Sequence, residues 1–225
     1  MKNRLLRLGA VLATAALATA GATATASTAN AAGTCSLKAP TKLAINTPYG
    51  AVTLSLGADC SASNTEYASW DLYHPTQGWD GISIFDRTTT DIWDVYDWEP
   101  LGRSTWRPSS AWDFANDDVA QNSPTTDIRY GSWSGLTTSR SGSYVTITTS
   151  TARYSPTTQN YVRWGGVRGT IQYWGPNGWT GLKYAYQNAT GYSTYKFYAP
   201  KGRSYRVVTP DASTVWGSTS KTVWR

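Results

Sequence analysis

Histidine occurs once in this chain, at position 74, and cysteine only twice, at 35 and 60. A Ser-His-Asp or Cys-His catalytic constellation would depend on His74 alone, which sits in Tyr73-His74-Pro75 with no Gly-x-Ser-x-Gly nearby. A histidine placed before proline reads instead as the end of a strand. Two cysteines and one histidine do not supply the four ligands of a structural zinc site. Walker-type phosphate loops and the GxGxxG strand–helix unit are missing too, so no cofactor is expected. After residue 31 no apolar run reaches the length of a bilayer, so no membrane span is expected either.

The start of the chain has a different character from the rest. Lys2, Arg4 and Arg7 precede an apolar stretch, Leu8–Leu17, that is too short to span a bilayer, and a small-residue run ends in Ala29-Asn30-Ala31. That order is the pattern of a secretory signal peptide with an A-x-A cleavage site, here residues 1–31. The mature protein is expected to be secreted and extracellular. A lipid anchor on Cys35 is disfavoured, because Thr34 occupies the place where such signals carry Gly, Ala or Ser. In an oxidising compartment the two cysteines are expected to form one disulfide, Cys35–Cys60.

What remains is dense in Thr, Ser, Val, Tyr and Trp, with Gly, Pro and Asn clusters about every ten residues, the composition of many short strands. Helical periodicity is scarce. In the first half the pattern predicts strands over 41–46, 52–57, 67–73, 81–85, 92–97, 104–107 and 125–131, with 112–122 as a long polar connection. In the second half it predicts strands over 144–153, 160–164, 168–174, 179–187, 192–198, 204–209 and 221–224. Gly175-Pro176-Asn177-Gly178 is a turn signal, because Pro presets one φ and Asn-Gly accepts the positive φ that follows. The fold class expected is all-β: two tandem immunoglobulin-like (fibronectin III-like) antiparallel β-sandwich domains, 32–130 and 131–225. The Cys…Trp…Cys spacing of true antibody domains is absent.

Charge divides along the same line. Residues 32–130 carry six basic and thirteen acidic side chains, a net of −7. Residues 131–225 carry eleven basic side chains and only Asp211 against them, a net of +10. Faces of opposite charge could pair with each other, with a partner or with an anionic cell envelope.

The second half resembles a known family. Tyr144-Val-Thr-Ile, Ala152-Arg153-Tyr154-Ser155, Gly166-Val-Arg-Gly-Thr-Ile-Gln-Tyr173, Gly191-Tyr192, Ala199-Pro-Lys-Gly-Arg-Ser-Tyr-Arg-Val-Val208 and Ser213-Thr-Val-Trp-Gly-Ser-Thr-Ser220 are similar to the immunoglobulin-like repeats of exported actinobacterial proteins. The resemblance covers about ninety residues and rests on spacing and residue class. It implies fold far more than function. The first half looks like a diverged second copy.

Two enzymatic or metal-dependent readings stand beside a binding one. Asp91, Asp94, Asp97 and Glu99 lie close together, and glycoside hydrolysis needs only two carboxyl groups flanking a sugar bond. On a strand, however, Asp91 and Asp97 share one face and Asp94 points away, so a solvated acidic edge is the more economical reading. Asn116, Asp117 and Asp118, with Asp113 nearby, offer oxygen ligands for calcium without the spacing of a known calcium loop.

The positive signal is aromatic. Twelve tryptophans fall six to each half, more than two sandwich cores require. Trp174 and Trp179 flank the tight turn, where they form either an exposed stacking platform for sugar rings or peptide, or a cross-strand pair that stiffens the hairpin. Arg163, Arg168, Lys183, Lys196, Lys201, Arg203 and Arg206 interleave with Trp164 and several tyrosines. That pattern suits an anionic ligand, the alternative being a solubilising surface. Single-stranded nucleic acid is bound by similar patterns, but export directs the expectation to an extracellular glycan or protein, with no nucleic acid. The candidate ligand-binding residues are Trp174, Trp179, Arg163, Trp164, Arg168, Lys201 and Arg203, with no catalytic or metal-binding residues. The function expected is a secreted, non-catalytic binding or adaptor protein for an envelope polysaccharide or a protein partner. The alternatives are a structural protein with mutually docked domains and a carboxylate-based glycoside hydrolase. Nothing in the sequence sets an oligomeric state.

Overall fold

Alternation decides which side chains point inward. In Thr53-Leu54-Ser55-Leu56 both leucines are buried, and in Tyr144-Val145-Thr146-Ile147 so are Val145 and Ile147. The computed structural model describes residues 34–60 and 65–225, so the signal-peptide reading of 1–31 lies outside the described residues. Among them no helix is long and apolar enough to cross a membrane.

The first half contains β1 (Thr34–Cys35), β2 (Leu37–Lys38), β3 (Lys42–Ile45), β4 (Tyr49–Leu56), β5 (Tyr67–His74), β6 (Gly78–Asp86), β7 (Thr90–Tyr96), β8 (Gly102–Trp112), β9 (Ala120–Gln121) and β10 (Thr125–Tyr130). A sheet of order β2-β4-β7 belongs with a five-stranded sheet of order β3-β10-β8-β5-β6. Most pairings are antiparallel, but β3 joins β10, and β1 joins β9, in parallel. The core is aromatic. Trp70 and Phe85 meet edge-on at 5.9 Å, Trp93 and Trp106 at 5.2 Å, and Leu54, Leu72 and Ile128 fill in around them. Cys35 and Cys60 are bonded, tying β1 to the segment that follows β4.

The second half contains β11 (Ser132–Ser141), β12 (Tyr144–Ser155), β13 (Asn160–Arg163), β14 (Arg168–Gly175), β15 (Gly178–Tyr186), β16 (Tyr192–Tyr198), β17 (Ser204–Thr209), β18 (Ser218–Thr219) and β19 (Val223–Trp224). β12 pairs with β11, β13 and β16, and the companion sheet runs β15-β14-β17, with β18 and β19 both on β17. Its core is smaller and carries no tryptophan: Val145, Ile147, Ile171, Tyr205 and Val207 are its most buried members. The chain is thus all-β, two immunoglobulin-like sandwiches in tandem.

β11 was not expected from its residues. Ser132-Trp-Ser-Gly-Leu-Thr-Thr-Ser-Arg-Ser141 contains no valine or isoleucine, and its strand state comes from ten successive pairings with β12, a tertiary contribution that local propensity does not register. The polar connection expected over 112–122 is shorter than expected: Trp112 ends β8 and stacks on Tyr67 at 4.2 Å, and Val119 is buried before β9.

The halves meet through a few specific contacts. Tyr154, on β12, is 1% exposed and belongs to the core of the first half, where its hydroxyl donates to Asp97 Oδ2 at 2.8 Å. Trp216 donates its indole N–H to the Leu43 carbonyl at 2.7 Å, with Lys42 Nζ and the Arg129 guanidinium each 4.2 Å from its ring. Lys42 also reaches Asp211 at 3.3 Å, and Tyr161 donates to Asn46 Oδ1 at 2.6 Å. The expected attraction of an acidic half for a basic one is therefore not how they join. Here the cations come from the acidic half, and the carboxylate is the single one of the basic half. Gly131, the one residue between β10 and β11, makes room for the Asn46 side chain: a Cβ there would lie 1.6 Å from Asn46 Oδ1 and would displace it from Tyr161.

Because this junction is packed and hydrogen-bonded, Trp216→Ala is expected to destabilise the protein by about 3 kcal/mol, read as a lower urea midpoint. Raising salt to roughly 0.5 M should leave that midpoint little changed, since screening acts on exposed charges far more than on buried contacts. Replacing both Cys35 and Cys60 with Ser is expected to cost about 3 kcal/mol in the same measurement, by loss of the cross-link on the unfolded chain.

Candidate functional site

The β14–β15 hairpin turns at Pro176-Asn177, with the positive φ falling on Gly178 at +99°. The tight turn sets Trp174 directly opposite Trp179, ring centroids 5.3 Å apart and planes at 77°. The two indoles thus form an edge-to-face cross-strand pair instead of one flat platform, and Trp174 remains 55% exposed. On the neighbouring strand Arg206 lies opposite Gln172, donates to its Oε1 at 2.8 Å and holds its guanidinium 4.1 Å from the Trp179 ring. Further along the same outer face Arg168 covers Tyr184 at 4.6 Å. Between these two capped aromatics lies a depression of about 330 Å³ lined by Thr170, Gly181 and Tyr184 among others. Gly181 leaves it open, since a Cβ there would touch only the Thr170 methyl at 3.8 Å.

The cations of this half have no carboxylates of their own. Asp211 is engaged by Lys42 and by the Gly217 amide, which hold its carboxyl below the usual range. Among the described residues no basic side chain of 131–225 is in a salt bridge. Six of them rest instead on rings: Arg163 on Tyr192, Arg168 on Tyr184, Lys183 on Tyr195, Lys196 on Tyr144, Arg203 on Tyr173 and Arg206 on Trp179. A ring orients a cation without neutralising it.

The residues singled out from the sequence do not form one surface. Trp174, Trp179, Lys201 and Arg203 gather at one end of the second sandwich, because Tyr173 pairs with both Thr180 and Tyr205. Arg163 and Trp164 line an open cleft with Arg153 and Gln187 at the other end, near the junction. Arg168 begins β14, six residues before Trp174, roughly 20 Å away along the strand. Arg206 and Tyr184 complete the outer face; Arg206 belongs to the basic-aromatic pattern of the sequence but not to the candidates.

The carboxylates of the first half have structural partners. Asp91 accepts from the Ser83 hydroxyl and the Ile84 amide at 2.8 and 2.9 Å, capping the outer edge of β6, while Asp94 accepts from Tyr49 and Asp97 from Tyr154. Asp97 and Glu99 are buried, so the solvated acidic edge expected here is not what these residues form. Asp113 Oδ1 is occupied by the amides of Ala115 and Asp117, beside Asn116 at φ +62°. Among the described residues no group of three or more His, Cys, Asp and Glu is placed to hold a metal ion. His74 ends β5, bonded to the Leu101 carbonyl at 3.1 Å and facing the Thr76 hydroxyl at 3.2 Å.

One carboxyl pair had no sequence signal. Asp80 and Glu99 influence each other, and burial followed by the Asp80 charge pushes Glu99 up to about 7. Burial raises Asp80 as well, against the pull of Glu99 and of His74. Because the folded state holds a proton here that the unfolded chain releases near 4.5, the stabilisation is full at low pH and is lost as pH rises toward about 7. Glu99→Gln is expected to abolish that decline, with a melting temperature several degrees above wild type at roughly pH 8 and little different at roughly pH 4.

An internal repeat also escaped the sequence reading. Gly78-Trp79-Asp80-Gly81 recurs as Gly178-Trp179-Thr180-Gly181, and Gly102-Arg103-Ser104 as Gly202-Arg203-Ser204, with the same spacing in both copies. In each half the first motif follows a proline-containing turn and opens on a glycine with positive φ. In the first half Arg107 covers Tyr73 at 4.2 Å, and Trp79 donates to Asp71 at 3.0 Å. The matching tryptophan thus meets a carboxylate, Asp71, in the first half and a guanidinium, Arg206, in the second.

No family model matches the chain, and no curated protein matches it. Among solved structures it is similar to the human OSCAR ligand-binding domain, at 14% identity over 85% of this chain and 96% of that one, with a TM-score of 0.29. The D00-D0 domain of intimin gives 10% identity over 84% and 98%, TM-score 0.26, and bovine butyrophilin 7% over 85% and 97%, TM-score 0.30. Scores this far below 0.5 carry no argument about this chain. Its immunoglobulin-like architecture rests on the strand order and pairing described above.

Proposed function

We propose that this chain is a secreted, non-catalytic binding module, and that the outer face of β14, β15 and β17 engages an anionic polysaccharide of the cell envelope. The observation that carries this reading is the set of cations held on aromatic rings with no carboxylate to neutralise them. Trp174, Trp179, Arg206, Gln172, Arg168 and Tyr184 supply aromatic surface and hydrogen-bond donors along one face, with Lys201 and Arg203 at its end. Arg163 and Trp164 form a second patch near the junction, spaced for a polymer longer than one sugar. The disulfide supports an extracellular location, because such bonds persist in oxidising compartments. The non-catalytic reading is supported by the structural partners that occupy His74 and the acidic side chains.

Purified mature protein, mixed with insoluble cell wall bearing anionic polymer, is expected to sediment with it and to be released by roughly 0.5 M salt. Cellulose and chitin should retain it less. The double variant Arg168→Ala and Arg206→Ala should reduce retention roughly tenfold. Retention that is equal on neutral chitin, or that survives the double variant, counts against this face.

A second reading, a protein partner, is favoured by one feature of the first half. Trp79, Ile82 and Ile84, on edge strand β6, are 58%, 43% and 43% exposed, an apolar strip on the outermost strand of its sheet. A band that co-purifies from culture filtrate and is lost with Ile84→Asp would support it.

A further inference from the structure

The small core of the second sandwich does not fill the space between its sheets. At the end away from the junction a cavity of about 340 Å³ remains, walled by Tyr173, Leu182 and Phe197 and rimmed by Lys201 and Arg203. Tyr205 also lines it, is 1% exposed, and its hydroxyl is buried with no hydrogen-bond partner. A buried hydroxyl left unpaired costs stability, and an acceptor placed beside it recovers that cost. The rim is held in place rather than floating. Arg140 donates to the Ala199 carbonyl at 2.6 Å and to the Lys201 carbonyl at 3.3 Å, fixing the turn between β16 and β17, and Arg203 lies 4.6 Å from the Tyr173 ring. Burial pushes the Tyr205 phenol up, while the Arg203 and Arg140 guanidiniums act in the opposite direction.

We propose that this cavity is a binding site for a small aromatic anion, an aryl carboxylate or aryl phosphate in chemical class. Its anionic group accepts from the Tyr205 hydroxyl beside Arg203 and Lys201, and its ring packs against Tyr173 and Phe197. A neutral ligand would satisfy the hydroxyl but leave the cations without a counter-charge. A bare inorganic anion would satisfy both but leave the aromatic walls uncovered. The cavity shares Lys201 and Arg203 with the end of the outer face, but its aromatic walls and the Tyr205 hydroxyl do not belong to that face, and its test does not depend on the polymer reading.

The test uses the full mature chain with its disulfide intact, titrated calorimetrically with benzoate, phenyl phosphate and benzyl alcohol. Saturable one-to-one binding of at least one of the two anions is expected, with benzyl alcohol at least about tenfold weaker. Tyr205→Phe and Arg203→Gln are each expected to weaken anion binding about tenfold. Tyr205→Phe should keep or raise the melting temperature, because it removes a hydroxyl that has no partner in the fold. A role confined to packing would move the melting temperature and not the affinity. Equal affinity for the neutral alcohol, anion binding unaffected by Tyr205→Phe, or no saturable binding of either anion would overturn the site, whatever the polymer assay shows.

Discussion

A phenol from the second sandwich completes the core of the first. Tyr154 is almost fully buried among residues of the first half, and its hydroxyl satisfies Asp97, a carboxylate that would otherwise be buried without a donor. Around this bond sit Trp216, clamped between Lys42 and Arg129, and Gly131, which makes room for Asn46. The first sandwich is therefore packed partly by the second, and the two share a hydrogen-bonded junction.

That arrangement governs which charges are left over. The acids of the first half serve as strand caps, turn supports and junction contacts, so few of them are free to neutralise the cations of the second. Those cations lie on tyrosine and tryptophan faces, where they are oriented yet still charged. A surface of this kind is complementary to polyanions in a way that a salt-bridged surface of the same composition is not.

Two recurring motifs let the two faces be compared. The Gly-Trp-x-Gly and Gly-Arg-Ser motifs place the same kind of hairpin and the same opening of a core strand in each half. What surrounds them differs. Where the first copy pairs its tryptophan with Asp71 and fills its core with Trp70, Trp93 and Trp106, the second pairs its tryptophan with Arg206 and leaves a cavity beside Tyr205. The surplus of tryptophans thus has two origins: an indole-rich core in one half and none in the core of the other.

The sequence by itself determined the all-β class, most strand positions, the disulfide and the division of charge. Each follows from local rules: alternation, turn chemistry, two cysteines with only each other to pair with, and simple counting. Tertiary structure decided β11, whose weak β propensity is overridden by a long register with β12. It decided the pairing of Asp80 with Glu99, which are nineteen positions apart in the sequence, and the use of Asp91 and Asp97 as structural groups. It also separated Arg163 and Trp164 from Trp174 and Trp179, because strands carry neighbours in sequence to opposite ends of a sandwich. Which indole is core and which is surface depends on what lies across the sheet, and a one-dimensional pattern does not contain that distance.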